Sequence, residues 1–433
     1  MTENAHCLSV SRRRLVQTTG AAALLAAARV AFPAGAFAAS AEAPEVKDAT
    51  FGFIALTDAA PLIVAKANGF FAKYGLSDVR VQKQASWGTT RDNLELGSAG
   101  GGIDGAHILT PMPYLMNAGR ITKNGQKVPM HILARLNTNG QGISVAAAYK
   151  DLKVGINASG LKEAFAKAKA GGKEIKCAMT FPGGTHDLWL RYWLAANGID
   201  PDKDVSTITV PPPQMVANMK VGTMEAFCVG EPWNAQLVHQ KIGFTALTTG
   251  ELWADHPEKS LAMRADWVEK HPKAAKAVLM AVQEAAQWCE ANIEEMCKIV
   301  SGREWFKVPY EDIVGRSKGT FDYGTGKVVE KSPYTMKFWR NFASYPFQSH
   351  DLCFLTEDVR WGYLPADTDR KALIKQVNRE DLWREAAKAL GVPANEIPAG
   401  SSRGPEKFFD GKVFDPSDPG AYLKSLAIKR AVV

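Results

Sequence analysis

The segment Thr180-Phe181-Pro182-Gly183-Gly184-Thr185-His186-Asp187 carries residue types suited to holding an anion. It joins a strand pattern to a helical one through two glycines. Backbone N–H groups and the positive end of a helix therefore meet at the carboxyl edge of a sheet. His186 falls in the first helical turn, where it serves either as a donor to a ligand or as a helix-start histidine bonded to a nearby carbonyl. Val229-Gly230-Glu231-Pro232-Trp233 is a second strand end, whose glycine either lets backbone approach a ligand or makes an ordinary turn. Trp87 follows Gln84-Ala85-Ser86 at a strand-to-helix junction and reads as core or as the wall of a cleft. Gln141, in a polar turn, and Lys259, in His256-Pro257-Glu258-Lys259, read by local pattern alone as solvated side chains.

Catalytic signatures are weak by comparison. There is no P-loop, HExxH or CxxC. Gly100-Gly101-Gly102-Ile103-Asp104-Gly105 spells GxGxxG, but it follows a helical stretch and enters a strand, the reverse of what a dinucleotide needs. The eight histidines are dispersed and suggest no metal-ligand set. Cys177 and His186 could be paired as nucleophile and base, yet Cys177 falls mid-strand, where a buried structural thiol is expected. No enzyme and no cofactor is expected.

The elements that must position these residues alternate. Strand patterns at 51–56, 79–84, 105–109, 130–136, 142–148, 175–181, 205–210 and 226–229 are interleaved with helical patterns at 59–66, 86–96, 161–170, 185–196 and 214–220. Such alternation implies an α/β fold of mostly parallel sheets covered by helices. A chain of 433 residues exceeds the usual single core, so two lobes are expected. The expected division is lobe 1 over 46–145, lobe 2 over 146–245, a return to lobe 1 over 246–330, and an irregular extension over 331–433 wrapped on the lobes. Hinges are expected near 145 and 245.

Residues 1–38 stand apart. Ser11-Arg12-Arg13-Arg14-Leu15-Val16, an apolar run over 21–31 and Ala36-Phe37-Ala38 read as a twin-arginine signal peptide cleaved after Ala38, which implies export to the periplasm. The net charge of +7 includes Glu3, Arg12, Arg13, Arg14 and Arg29 of that segment, leaving +4 for the remainder. That balance helps an anion approach but is no nucleic-acid footprint, since no basic cluster interleaved with aromatics occurs. The remaining cysteines, Cys177, Cys228, Cys289, Cys297 and Cys353, are odd in number and scattered, and so read as free buried thiols.

Gly52-Phe53-Ile54-Ala55-Leu56-Thr57-Asp58-Ala59-Ala60-Pro61-Leu62, Gln84-Ala85-Ser86-Trp87, the run from Gly102 to Pro113, and Ala134-Arg135-Leu136-Asn137-Thr138-Asn139-Gly140-Gln141 resemble the nitrate- and bicarbonate-binding proteins of bacterial ABC importers. The resemblance extends over about residues 48–400. It implies the two-lobed type II periplasmic-binding-protein fold, a monomer that captures nitrate or nitrite and delivers it to permease and ATPase subunits, and a site made of Trp87, Gln141, His186, Gly230 and Lys259. The bicarbonate branch carries a carboxylate in place of the lysine and recruits calcium, a hard cation that takes oxygen ligands. Lysine at 259 thus implies nitrate and no metal, with a bicarbonate and calcium binder, or a nitrate-sensing regulator of the same fold, as alternatives. On this reading Lys259 is essential and a lysine in place of Glu258 is nearly silent.

Overall fold

The structure, a computed structural model, describes residues 43–430. The expected signal peptide at 1–38 lies outside the described residues. Besides two short two-stranded ribbons near the C-terminus, ten strands follow in chain order: β1 (Thr50–Phe53), β2 (Arg80–Lys83), β3 (Gly105–Leu109), β4 (Met130–Arg135), β5 (Gln141–Ala146), β6 (Lys176–Met179), β7 (Ser206–Thr209), β8 (Ala226–Gly230), β9 (Gly243–Thr248) and β10 (Lys259–Arg264). They form two five-stranded sheets, ordered β2-β1-β3-β10-β4 and β7-β6-β8-β5-β9.

Each sheet is mixed. β1 runs parallel to β2 and β3, and β6 to β7 and β8. β10 is antiparallel to both of its neighbours, as β5 is to its own. The physical reason is chain exchange, since β5 is the first strand of the second sheet after the chain leaves β4, and β10 is the strand that returns to the first sheet. A strand arriving from the other lobe enters from the opposite end and cannot join the parallel set. The expectation of mostly parallel sheets therefore holds only for the strands built by local β-helix-β units.

The chain changes sheet between Arg135 and Gln141, and again between Thr248 and Lys259. The first crossing thus precedes β5, ahead of the expected 145, and the second follows β9, beyond the expected 245. The two crossings run side by side, with Asn139 N–H donating to the His256 carbonyl at 3.0 Å and Glu258 N–H to the Asn137 carbonyl at 3.2 Å. The segment around Lys337 joins them as a third strand, Thr138 N–H donating to its carbonyl at 3.0 Å.

Helices cover the sheets: α1 (Ala60–Ala67), α2 (Trp87–Leu96), α3 (Pro111–Asn117), α4 (Thr185–Ala196) and α5 (Pro272–Ala291), then α6 (Gln348–Arg360) and α7 (Glu380–Ala389) in the C-terminal region. The region past 331 is more helical than its irregular composition suggested. α6 is buried along its whole length, with Asp351 paired to Arg135 at the end of β4 and the Phe354 ring 5.7 Å from Trp189 of α4. It therefore touches elements of both lobes. The five cysteines are all buried and free. Among the described residues, no helix is long and apolar enough to cross a membrane.

Candidate functional site

Strand ends and helix starts set the site between the two sheets. Lys259 opens β10, Gln141 opens β5 and Gly230 closes β8. Ser86 caps α2 by accepting from the Thr89 N–H at 3.1 Å, which fixes Trp87 as the first helical residue. Before α4, Gly183 adopts a left-handed φ of 72° and donates its N–H to Asp187 at 2.9 Å, turning the chain so that His186 faces inward. The five residues singled out from sequence thus converge on one buried seam, although Gln141 and Lys259 read locally as solvated. Lys259, Trp87 and His186 are 0% exposed and Gln141 1%.

Hydrogen bonds link His186 through Gln141 to Asp58 in one chain. Gln141 Nε2 donates to Asp58 Oδ2 at 3.0 Å, which fixes the amide so that Oε1 faces His186 Nε2 at 2.6 Å. His186 Nε2 therefore carries the proton, and Nδ1 accepts from the Thr180 hydroxyl at 2.5 Å. Lys259 Nζ lies 3.0 Å from Asp58 Oδ2, 2.6 Å from Glu258 Oε2 and 3.4 Å from His186 Nε2. The Trp87 ring centroid lies 5.8 Å from that ammonium, close enough for a cation–π contribution. Gly230 is required because a Cβ there would sit 2.6 Å from Gln141 Oε1 and 3.1 Å from Leu56.

Three residues of the seam were not singled out from sequence: Asp58, His107 and Glu258. Thr57-Asp58 reads as a helix cap, and His107 as one position of a strand. Asp58 instead bonds His107 Nε2 at 2.5 Å and forms an ion pair with Lys259. The signal available was position, since an acid immediately after the carboxyl end of β1 lies at the edge where open α/β sheets bind ligands. Glu258 was expected to tolerate lysine almost silently, and the structure overturns that. It is 0% exposed, with Oε2 also accepting from Thr185 at 2.8 Å. The alternation that would turn it outward fails because it precedes the first residue of β10.

Burial dominates the electrostatics. Desolvation holds His186 well below its ordinary range, helped by Lys259, and it holds His107 down although Asp58 opposes it, so both imidazoles are neutral. Desolvation alone would raise Asp58, but Lys259 and His107 beside it hold its carboxyl below the usual range. The same burial raises Glu258 despite Lys259, and Asp58 adds to the effect. Lys259 stays charged, because Asp58 and Glu258 outweigh its desolvation. Cys177 is pushed up by burial and His186 is bonded to Thr180, which removes the pairing of the two as nucleophile and base. Two polar atoms of the seam, Trp87 Nε1 and Glu258 Oε1, are buried without a hydrogen-bond partner among the described residues. The seam therefore combines one fixed cation, two carboxylates, two imidazoles held neutral, a flat aromatic wall and exclusion of water. Its cation and flat ring suit a small, planar, weakly hydrated anion once the excess carboxylate charge is relieved.

Comparison with known proteins gives the same class. Residues 42–301 match the NMT1-like family. The nitrate/nitrite binding protein NrtA of Synechocystis sp. is 66% identical over 390 residues, 89% of this chain and 86% of that protein. The crystal structure of the periplasmic nitrate-binding protein NrtA from Synechocystis PCC 6803 superposes with a TM-score of 0.87 at 65% identity, covering 89% of this chain and 100% of that one. The bicarbonate-binding protein CmpA of Synechococcus elongatus is 48% identical over 405 residues, 91% of this chain and 90% of that protein. The nitrate import ATP-binding protein NrtC of Synechocystis sp. is 34% identical over 384 residues, 88% of this chain but 55% of that protein. The chain belongs to the NMT1-like family and, within it, to the family of nitrate/nitrite binding proteins.

Proposed function

We propose that this chain captures nitrate, or the similar nitrite, between its two lobes and delivers it to the permease and ATPase of an ABC importer, without chemistry on the ligand. The observation that carries this reading is the buried Lys259 ammonium, with His186 Nε2 at 3.4 Å and the Trp87 ring facing it. Nitrate accepts through three oxygens in one plane, so His186, Gln141 and the Gly230 backbone can ring it while Lys259 supplies the counter-charge. A calcium-assisted bicarbonate site is not favoured. Lys259 Nζ stands between the Asp58 and Glu258 carboxylates, at 3.0 and 2.6 Å, where a hard cation would need its oxygen ligands. Residues 1–38 would carry the chain to the periplasm by the twin-arginine route, and lysine in place of Arg12 and Arg13 should leave the precursor in the cytoplasm on fractionation.

Calorimetry of the chain lacking residues 1–38 should give one-to-one binding of nitrate, no requirement for calcium, and compaction by small-angle scattering as the lobes close. Heat with bicarbonate and calcium but none with nitrate would move the protein to the other branch. His186→Ala should weaken nitrate binding by about 1 to 3 kcal/mol, because one oxygen in a dry seam loses its donor. An unchanged affinity would leave His186 as a helix-start residue bonded to Thr180. Gly230→Ala should cost a similar amount, about 1 to 3 kcal/mol, through displacement of the Gln141 amide. Its effect should vanish in a Gln141→Ala background; persistence there would mean the strain lies on Leu56 instead.

A further inference from the structure

The seam holds two carboxylates and one ammonium, which is the wrong balance for an anion site. With His107 and His186 neutral, ionised Asp58 and Glu258 against Lys259 leave one net negative charge in a volume closed to water. A monovalent anion entering that volume would face two carboxylates with a single cation to share. Asp58 cannot relieve this by taking a proton. It accepts from His107 at 2.5 Å and from Gln141 at 3.0 Å and pairs with Lys259, so its charged form is fully bonded. Glu258 differs, because Oε2 is occupied by Lys259 Nζ at 2.6 Å and Thr185 at 2.8 Å while Oε1 is buried with no partner among the described residues. As a carboxylate, that oxygen is an acceptor left unsatisfied beside a negative ligand. As a carboxylic acid, it becomes a donor.

We propose that the seam takes up one proton with each monovalent anion it encloses, and that the Glu258 carboxyl carries it. This rests on the reading of the seam as an anion site. The groups acting on Glu258 are Lys259 on its own segment, Asp58 ahead of α1, Thr185 of α4 and Cys228 of β8, with His186 of α4 and His107 of β3 beyond them against Lys259 and Asp58. Cys228 is held in its thiol form by burial and by Glu258 itself, so it offers no competing proton acceptor. Burial raises Glu258 already in the unliganded protein, and an added anion raises it further. The sign follows directly. Affinity is full below the unliganded value and falls as pH rises towards the liganded one, because each binding event must then draw a proton from solution. Opening of the lobes exposes the carboxyl to water, releases the proton and, with it, weakens the hold on the anion.

The test is calorimetric titration with sodium nitrate at pH values from about 6 to 9, each in two buffers of different ionisation enthalpy, so that protons taken up are counted per nitrate bound. The expected result is uptake rising towards one proton with pH, a Kd weakening up to about tenfold per pH unit where uptake is near one, and a protonated-carboxyl band in the infrared difference spectrum on adding nitrate. In Glu258→Gln, which cannot ionise, uptake should vanish and the pH dependence should flatten. Nitrate binding by the wild type with no proton uptake, and with no carboxyl band, overturns the proposal; so does undiminished uptake in Glu258→Gln. Absence of nitrate heat at every pH would instead remove the anion reading on which the proposal stands.

Discussion

Lys259→Glu is expected to abolish nitrate binding, weakening Kd by more than about a thousandfold, or about 4 kcal/mol. The substitution removes the one cation of a seam that is 0% exposed at Lys259, Asp58 and Glu258, and puts a third carboxyl beside the other two. Interaction between charges scales inversely with the local dielectric, so like charges a few ångströms apart repel far more strongly here than in water. Relief by protonation would return at best a neutral site with no counter-charge for the ligand. Lys259→Met separates the two contributions: it removes attraction without adding repulsion, and it should retain more affinity than the glutamate variant. Titration with nitrate, with and without calcium, reads both. Nitrate binding within tenfold of wild type by Lys259→Glu would show that the anion is held elsewhere. Glu258→Lys is expected to be damaging as well, since it places two ammonium groups side by side where Oε2 now bridges Lys259 and Thr185.

That reversal for Glu258 marks the boundary of what the sequence shows. Gly183-Gly184 before an amphipathic helix gave the placement of His186 from local chemistry alone, because left-handed φ and a helix start have residue signatures. Strand and helix patterns up to about residue 230 were readable for the same reason. Lys259 and Gln141 were not, because their burial comes from the second lobe closing over them, and no local pattern records a partner 100 residues away. The family resemblance supplied both. Asp58 and Glu258 were hidden by a subtler cause: acids at strand ends read as caps or solvated turns unless the cation that compensates them is known to lie opposite. The exchange of β5 and β10 between sheets was hidden as well, since strand direction leaves no trace in alternation.

The C-terminal region shows a different failure. Helix α6 has no amphipathic stripe, because it is buried from Ser349 to Arg360 and most of its polar residues are paired rather than exposed, Asp358 excepted, whose carboxyl oxygens have no hydrogen-bond partner among the described residues. Ser349, His350, Asp351, Glu357, Asp358 and Arg360 along it look like a solvated segment, yet all are buried. Glu357 accepts from Tyr422 at 2.6 Å and from Arg360 at 3.1 Å, and Asp351 meets Arg135 and Asn378. Such a helix exists only through tertiary contacts.

From this follows the second large effect, the loss of about 3 to 5 kcal/mol of stability in Asp351→Ala. Arg135 is 1% exposed, with one terminal nitrogen on Asp351 and the other on Ser260 Oγ at 2.8 Å. Removing the carboxylate leaves a guanidinium charge in the core with a single neutral acceptor, and it also frees the Asn378 amide, which donates to Asp351 at 2.7 Å. The urea midpoint should fall accordingly, with the dependence on urea little changed if the fold is kept. The double variant Arg135→Met with Asp351→Leu, which removes both charges and keeps apolar volume, should recover most of the loss. A cost below about 1 kcal/mol for the single variant would mean that apolar packing alone holds α6 on β4. The pair also reaches the seam proposed to hold the anion. Ser260 Oγ lies 2.7 Å from Thr110 Oγ1, and that hydroxyl donates to the Glu258 carbonyl at 2.6 Å, one residue from Lys259. Asp351→Ala should therefore weaken nitrate binding modestly, by up to about tenfold, at urea concentrations where the protein remains folded. An affinity equal to wild type would confine the role of the pair to anchoring the C-terminal region.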